Sequence, residues 1–304
     1  MDIVYEGKKI NLNINKCILK DNIEGKSDSI EVSFADIKSE CSTWEFRKGD
    51  TINVIDEQYS TGIMYVDNYS ASRGKYHLKA LSIKNKFKNN KTRPWENITF
   101  NHLVNDLVNE LGLSLETYGV NDIEYYRIDQ INRNNIEFLR NICILEGYIL
   151  KITNNKAVII SEKYLENQSP VIELSPSDFI GDYNFECTSN SIYGGCILRS
   201  NEKEYIEGKY ILNSSFERIL YVNDVPAYSL GEANRFSKNI LRAYNKNEIT
   251  GKFIIKNSNN IAAGSTITIN GVNSFKGKYI VENITKDIIN GKAKVKVRKV
   301  LEEY

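Results

Sequence analysis

Apolar residues at every second position mark both ends of this 304-residue chain, and this period constrains its fold more than any other feature. Near the N-terminus, Ile30, Val32 and Phe34 alternate with Glu31 and Ser33, as a half-buried β-strand requires. Further short strands are predicted between Gly and Asp turns, over residues 51–55, 62–69 and 75–83. Short strands joined in this way indicate a small antiparallel barrel or sandwich in the first part of the chain.

The middle of the chain changes to a helical period. Apolar residues at i, i+3, i+4 and i+7 spacing predict one helix, with Thr99 as its N-cap and Gly112 just beyond its C-terminus. This stripe consists of Phe100, Leu103, Val104, Leu107, Val108 and Leu111. A second helix is predicted from about residue 135 to residue 146, where Gly147 ends it.

Two strands, 148–152 and 157–161, follow the second helix. With the helices they predict a compact α+β unit over residues 91–168. The run 84–93 is polar and basic, which is typical of an exposed linker that ends at Pro94.

Beyond this unit the pattern returns to strands. One helix interrupts them near residues 230–246, where Ser229 and Glu232 form a capping box ahead of an apolar stripe. The predicted strands are 179–186, 192–199, 209–212, 249–256, 265–270, 278–284 and 292–300. The fold class is therefore α+β and mainly β, with an antiparallel β-barrel domain on each side of the α+β insert. The predicted domains are 1–90, 91–168 and 169–304.

Composition narrows the function classes. Hydrophobic residues make up 41% and charged residues 26% of the chain, which is ordinary globular usage rather than disorder. Lysine and arginine (40) nearly balance aspartate and glutamate (39), so the net charge of +1 does not favour a dedicated DNA-binding protein. No apolar run approaches the roughly 20 residues of a membrane span, and the N-terminus lacks the pattern of a signal peptide. No membrane insertion is predicted.

Cysteine and histidine usage argues against several kinds of site. The five cysteines are Cys17, Cys41, Cys143, Cys187 and Cys196. Because none forms a C-x-x-C pair, small buried thiols are predicted rather than a disulfide framework or a zinc site. A Cys–His nucleophile pair would need Cys41 or Cys143 to meet His77 or His102, and nothing in the spacing favours this.

Motifs for catalysis are absent from the sequence. It contains no phosphate-binding loop, dinucleotide fingerprint, nucleophile elbow or zinc-protease motif. Paired carboxylates of the kind that cleave glycosides stay open among the 39 acids. The sequence therefore predicts no catalytic, cofactor-binding or metal-binding residues, and no cofactor.

Two groups of residues have either a structural role or a role in binding a partner. Four cations share one face of the last predicted strand: Lys292, Lys294, Lys296 and Arg298. This face is either a solvated or charged edge that discourages aggregation, or a basic surface that meets a partner or lines a channel. Likewise, Trp44, Phe46 and Trp95 are either core residues or interface anchors.

Several short motifs succeed one another along residues 28–300 in a distinctive order. They are Asp28-Ser29-Ile30-Glu31-Val32, Arg47-Lys48-Gly49-Asp50-Thr51-Ile52, Trp95-Glu96-Asn97-Ile98-Thr99, Leu111-Gly112-Leu113, Asn135-Ile136-Glu137-Phe138-Leu139-Arg140, Glu146-Gly147-Tyr148, Glu232-Ala233, Asn247-Glu248-Ile249-Thr250-Gly251, Ala263-Gly264-Ser265 and Phe275-Lys276-Gly277-Lys278-Tyr279-Ile280-Val281. In this order and spacing the chain resembles the late control protein D family, the baseplate hub proteins of contractile phage tails and phage-tail-like bacteriocins. It is also similar to the upper part of type VI secretion spikes.

The resemblance implies a homotrimer whose subunits each carry two tube-like barrel domains, so that six barrels match a sixfold tail tube. It implies the tail tube protein and a central spike protein as partners, with other baseplate or tape-measure proteins as further ones, and no specific nucleic-acid binding. Because the chain ends at Tyr304, the spike is expected to be a separate polypeptide. The expected location is the baseplate of a virion or bacteriocin particle, assembled in the bacterial cytoplasm.

Two functions of other classes stay open. One is a tail-associated hydrolase that degrades the cell wall with paired carboxylates, and the other is a monomeric ligand-binding module. The absence of catalytic motifs favours the hub, because a symmetric adaptor needs binding surfaces rather than reacting groups.

Overall fold

The structure, a computed structural model, describes residues 1–10, 12–35, 46–56, 59–84, 87, 89–212, 217–256, 260–302 and 304. Within these ranges the N-terminal part consists of β1 (Asp2–Tyr5), β2 (Lys8–Ile10), β3 (Asn13–Asn22), β4 (Ser29–Ala35), β5 (Thr51–Asp56), β6 (Tyr59–Ser60), β7 (Met64–Ser72) and β8 (Lys75–Leu81). The predicted alternation in β4 is confirmed, because Ile30, Val32 and Phe34 are all buried in one apolar core with Val54 and Leu78.

The middle part combines helices with short strands. Its elements are β9 (Lys91–Thr99), α1 (Phe100–Leu111), β10 (Ser114–Tyr118), β11 (Glu124–Arg133), α2 (Asn135–Glu146), β12 (Tyr148–Thr153), β13 (Lys156–Ser161) and α3 (Glu162–Asn167). Both predicted helices are confirmed. The Thr99 hydroxyl accepts a hydrogen bond from the His102 amide at the start of α1. Gly112 and Gly147 end α1 and α2 at φ 64° and 73°, a left-handed conformation that favours glycine.

The predicted linker 84–93 is wrong over its last three residues, which belong to β9. This strand pairs with β11, and Arg93 lies opposite Gln130. Phe87, also within the predicted linker, is buried in the core of the middle part. Pro94 is accommodated inside β9 because this two-stranded sheet leaves one side of the strand open, where a missing N–H group costs no ladder bond.

The C-terminal part returns to strands and adds one long helix. Its elements are β14 (Glu173–Leu174), a 3₁₀ turn (Pro176–Asp178), β15 (Asn184–Cys187), β16 (Gly195–Ser200), β17 (Ile206–Ile211), β18 (Ile219–Val222), α4 (Leu230–Asn245), β19 (Ile249–Lys256), β20 (Thr266–Ile269), a second 3₁₀ turn (Asn273–Phe275), β21 (Gly277–Asp287) and β22 (Lys292–Lys299). The predicted helix is confirmed, and the Ser229 hydroxyl accepts a hydrogen bond from the Glu232 amide at its start. The predicted strand 179–186 forms only from Asn184 onward, because Phe179 instead stacks on Phe253 with ring centroids 4.6 Å apart.

One pairing joins the N-terminal and C-terminal strands into a continuous sheet. Strand β3 runs antiparallel to β21, with Asp21 opposite Ile284 and Ile18 opposite Asp287. The resulting order is β15-β19-β22-β21-β3-β4-β8-β7-β5-β1-β2. Two separate apolar cores belong to this sheet, one on each side of the β3–β21 seam. The predicted class, α+β and mainly β, is confirmed.

A third apolar core is centred on the helices. Helices α1, α2 and α4 contribute Phe100, Leu139, Phe236 and Leu241 to it, together with side chains of β12, β13 and β16. Strand β16 and helix α4 thus share a core with the middle part. The predicted division into domains at residues 90 and 168 stays a prediction.

Helix α4 packs directly on Gly208 of β17. A Cβ atom at this position would lie 2.4 Å from the Ala233 carbonyl carbon and 2.5 Å from the Ala233 Cβ. We therefore expect Gly208→Ala to lower the free energy of unfolding by about 1–3 kcal/mol, measured by urea denaturation. Gly231→Ala in α4 is the control, because a Cβ there meets nothing within 4 Å. Equal losses in both variants would contradict this packing.

Candidate functional site

Charged side chains from four separate segments meet where the middle part joins the sheet. This ionic cluster consists of Glu24, Glu162, Glu166, Arg242, Lys246 and Arg298. The two α3 carboxylates are one helical turn apart, as are the two cations at the end of α4, so each pair lies on one helix face. Arg298 comes from β22, and Glu24 comes from the segment after β3.

Glu162 lies at the centre of the ionic cluster. Its carboxylate accepts hydrogen bonds from Arg242 Nε and Lys246 Nζ, both at 2.9 Å, and Arg298 Nη2 lies 3.5 Å from it. Glu166 accepts a hydrogen bond from Arg298 Nη1 at 2.9 Å and also pairs with Arg242. The network therefore connects α3, α4 and β22 directly.

The cluster balances three cations with three carboxylates. Burial alone would raise the pKa of Glu162, but Arg298, Lys246 and Arg242 outweigh burial and lower this pKa to about 2. Lys246 also pairs with Glu24, which ties the N-terminal strands into the same network. All three parts of the chain are thus held by one set of mutually neutralising charges.

A second charged contact joins the middle part to β3. Lys151 on β12 pairs with Asp21, and its Nζ lies 3.5 Å from Asp28 Oδ2. Asp21 also accepts a hydrogen bond from the Ala263 amide at 2.8 Å. Burial raises the pKa of Asp28 to about 6, although Lys151 opposes the shift. Two carboxylates therefore share one lysine, and the charge of Asp28 changes near pH 6.

Neither charged contact is predicted from the sequence. The available signal is the pair of acids at i, i+4 on α3 and the pair of cations at i, i+4 on α4. Such pairs are also common on solvated helix faces, so spacing alone does not indicate that these partners meet.

The four cations on one face of the last strand do not form one solvated row, because Arg298 is withdrawn from solvent. This side chain is only 2% exposed and lies in the ionic cluster, because α3 supplies two carboxylates at this end of β22. Lys292 and Lys294 are exposed, and Lys296 pairs with Glu282 at 2.7 Å. Strand β22 lies between β19 and β21, so these lysines do not protect a sheet edge.

The candidate Cys–His pairs are not brought together. Cys143 is fully buried in the core of the middle part, whereas His102 is exposed on α1. His77 lies on β8 with its Nδ1 atom 3.0 Å from Ser33 Oγ. Burial also raises the pKa of Cys143, which suppresses the thiolate that a nucleophile needs. Cys41 lies outside the described residues.

The remaining candidate side chains have structural positions. Of the described cysteines, Cys17, Cys143 and Cys196 are buried as predicted, and Cys187 is exposed at the end of β15. Phe46 is buried in the N-terminal core. Trp95 packs against the core of the middle part, and the Arg93 guanidinium lies 4.3 Å from the centroid of its ring. Trp44 lies outside the described residues.

In the part of the chain that the structure describes, no group of three or more His, Cys, Asp or Glu side chains is placed to hold a metal ion. No helix in the same ranges has the length and apolar character needed to cross a membrane.

Comparison with solved structures identifies proteins of the same architecture. The 43 kDa tail protein of prophage MuSo2 from Shewanella oneidensis superposes with a TM-score of 0.75 at 12% identity, over 98% of both chains. A tail protein from Neisseria meningitidis MC58 gives a TM-score of 0.76 at 11% identity, over 98% of this chain and 95% of that one. The E. coli c3393 protein, a component of the type VI secretion system, gives 0.61 at 9% identity, over 99% and 78%.

The chain has the fold of phage tail proteins. The resemblance found in the sequence is thus confirmed at the level of the fold. No protein-family model matches the chain, and a search of curated proteins finds no match either. In this tail-protein fold, the described charged contacts lie between the parts of the chain and are mostly withdrawn from solvent, so they act on the architecture rather than on a substrate.

Removing one partner from the ionic cluster should strongly destabilise the protein. Arg298→Met leaves Glu162 and Glu166 undercompensated in a buried site, and we expect a loss of about 3–5 kcal/mol in the free energy of unfolding at pH 7. Lys292→Met, on an exposed position of the same strand, is the matched control and should change stability by less than about 0.5 kcal/mol. Similar small effects of both substitutions, measured by urea denaturation, would show that the cluster contributes little.

The shared lysine predicts a pH dependence of stability. The pKa of Asp28 in the folded protein, about 6, lies above its ordinary 3.8, so its stabilising contribution is complete below pH 3.8 and is lost as the pH rises through 6. Asp28→Asn keeps an oxygen that can accept the Asn22 amide hydrogen bond. Relative to wild type, this variant should gain on the order of 1–3 kcal/mol between pH 4 and pH 7. Urea denaturation of both proteins across this interval tests the prediction, and parallel pH profiles would contradict it.

Proposed function

We propose that this protein is a structural component of a contractile tail, namely a baseplate hub that forms a trimeric ring between the tail tube and the central spike. The observation that carries the proposal is the match of its fold to a prophage tail protein along 98% of both chains. The motif order along residues 28–300 supports the same role.

The two β cores of one chain support a threefold ring. If residues 1–90 and 169–304 act as tube-like domains around the insert 91–168, a trimer places six such domains around one axis. Six domains suit a sixfold tube on one face, while the threefold axis suits a trimeric spike on the other. The seam between β3 and β21 supports this role, because it fixes the two cores of each subunit relative to one another.

In this role the partners are the tail tube protein, a separate spike protein, and other baseplate or tape-measure proteins. The place of action is the baseplate of a virion or phage-tail-like bacteriocin, assembled in the bacterial cytoplasm. The role is not enzymatic. Two pairs of acids that share a site, Glu162 with Glu166 and Asp21 with Asp28, contact buried or half-buried cations and do not line an open cleft for a polymer.

A mass measurement tests the ring. Light scattering at micromolar concentration should give three times the mass of one chain, and negative-stain microscopy should show rings with a central hole. The rings form either from the protein alone or after addition of a spike protein from the same tail, with an unrelated trimeric protein as the control addition. A monomer under both conditions would contradict the hub and favour the ligand-binding module. Hydrolysis of purified cell wall would instead support the enzyme.

A further inference from the structure

Five lysines lie side by side on the outer face of β19 and β22, and we call this group the lysine strip. They are Lys252, Lys256, Lys292, Lys294 and Lys296. Four are exposed, and the Lys296 side chain is 43% exposed. The intervening side chains, including Phe253, Ile255 and Val295, are buried in the C-terminal core. Strand β22 has a neighbour on each side, and β15 pairs with β19 as far as Lys252, so four of the five lysines lie within the sheet and Lys256 lies beyond the end of β15.

The strand register places like charges directly opposite each other. Lys252 lies opposite Lys296, and Lys256 lies opposite Lys292. Directly opposed like charges destabilise a strand pair. A face that only needed to be solvated would gain nothing from this arrangement, because serine, threonine or opposite charges are solvated without the repulsion. The strip is therefore a concentration of positive charge that costs stability in the free protein.

Only part of this charge has a carboxylate nearby. Glu282 pairs with Lys296, and Asp287 lies directly opposite Lys292 on β21. Lys252, Lys256, Lys292 and Lys294 form no ion pair among the described residues. Lysines further along the same sheet differ in this respect, because Lys16 and Lys20 both pair with Glu31. These two and Lys79 lower the pKa of Glu31, whose burial alone opposes the shift. The strip thus carries an excess of positive charge, in a chain whose net charge is only +1.

We propose that the lysine strip binds an acidic segment of a partner polypeptide in extended conformation. Lys292, Lys294 and Lys296 repeat at every second residue, about 6.8 Å apart, which is also the repeat of same-side side chains in an extended peptide. Ile254, half-buried and opposite Lys294, offers an apolar contact at the centre of the strip.

The composition of the strip favours a polypeptide over a nucleic acid. Its five cations are all lysines, without the arginine fork that reads base edges and without an aromatic ring on which bases stack. All five lysines belong to one chain, so this surface does not depend on the proposed trimer. Failure of ring formation and failure of peptide binding are separate results.

Fluorescence anisotropy of a labelled twelve-residue peptide of alternating glutamate and serine tests the proposal with the full chain. The triple variant Lys256→Ser, Lys292→Ser and Lys294→Ser should bind this peptide roughly tenfold more weakly than wild type at low salt. The control variant Lys9→Ser, Lys163→Ser and Lys209→Ser removes the same charge from exposed positions elsewhere and should bind less than about twofold more weakly. Replacing the same three strip lysines by arginine should retain binding.

Three results would overturn the proposal. One is the absence of measurable peptide binding by the wild type. Another is an equal loss in the strip variant and the control variant, which would assign the effect to net charge. The last is tighter, strip-dependent binding of a DNA duplex, which would make the surface a phosphate-binding one. Thermal unfolding checks that the strip variant folds. Its midpoint should change little, because loss of the repulsion between Lys256 and Lys292 offsets loss of the attraction between Lys292 and Asp287.

Discussion

The antiparallel pairing of β3 with β21 is the contact on which the architecture depends. Asn22 and Asn283 lie opposite each other although 261 positions separate them in the sequence. The entropic cost of closing a loop grows only slowly with loop length. The packing of the two apolar cores can therefore offset the cost of this long-range pairing. Once both strands are joined, the chain between them must leave the sheet after β8 and return to it at β14. The helical middle part therefore lies beside the seam, between two stretches of this sheet in chain order.

The ionic cluster explains how the helical middle part is held in one orientation. Burying these charges, five of them almost fully, gives little net stability compared with an apolar junction of the same volume, because each ion loses its hydration. What the cluster supplies is mutual neutrality: Glu162 and Glu166 contact cations from both α4 and β22, and the third carboxylate, Glu24, contacts Lys246. A shifted packing of α3 would leave a buried carboxylate without its cation. The charges thus favour one arrangement of α3, α4 and β22. An apolar junction distinguishes less strongly between this arrangement and a shifted one.

Local chemistry explains which parts of the fold could be predicted from the sequence. The ends of the helices depend on a few adjacent residues, such as Thr99 and Gly112, so the sequence contains the whole signal. The sequence does not predict strand β18, because Ile219–Val222 is an unbroken apolar run without alternation. Residues 91–93 resemble a linker in sequence, because their polar side chains do not indicate the pairing of β9 with β11. Arg298 shares the two-residue period of the strip lysines, and only the position of α3 separates its role from theirs.

The same limit applies to charge. A net charge of +1 describes an average over the whole surface, whereas a charge in physiological salt is felt over a Debye length of about 8 Å. Lysines on neighbouring strands and at alternate positions lie about 5–7 Å apart, so those of the strip act together. Acids on distant surfaces are screened from them and do not cancel their field. A nearly neutral composition therefore argues against a chain that binds polyanions everywhere, but it places no limit on a single basic surface. What such a surface attracts is decided by the spacing and sign of charges within one Debye length, which the register of β19 and β22 sets.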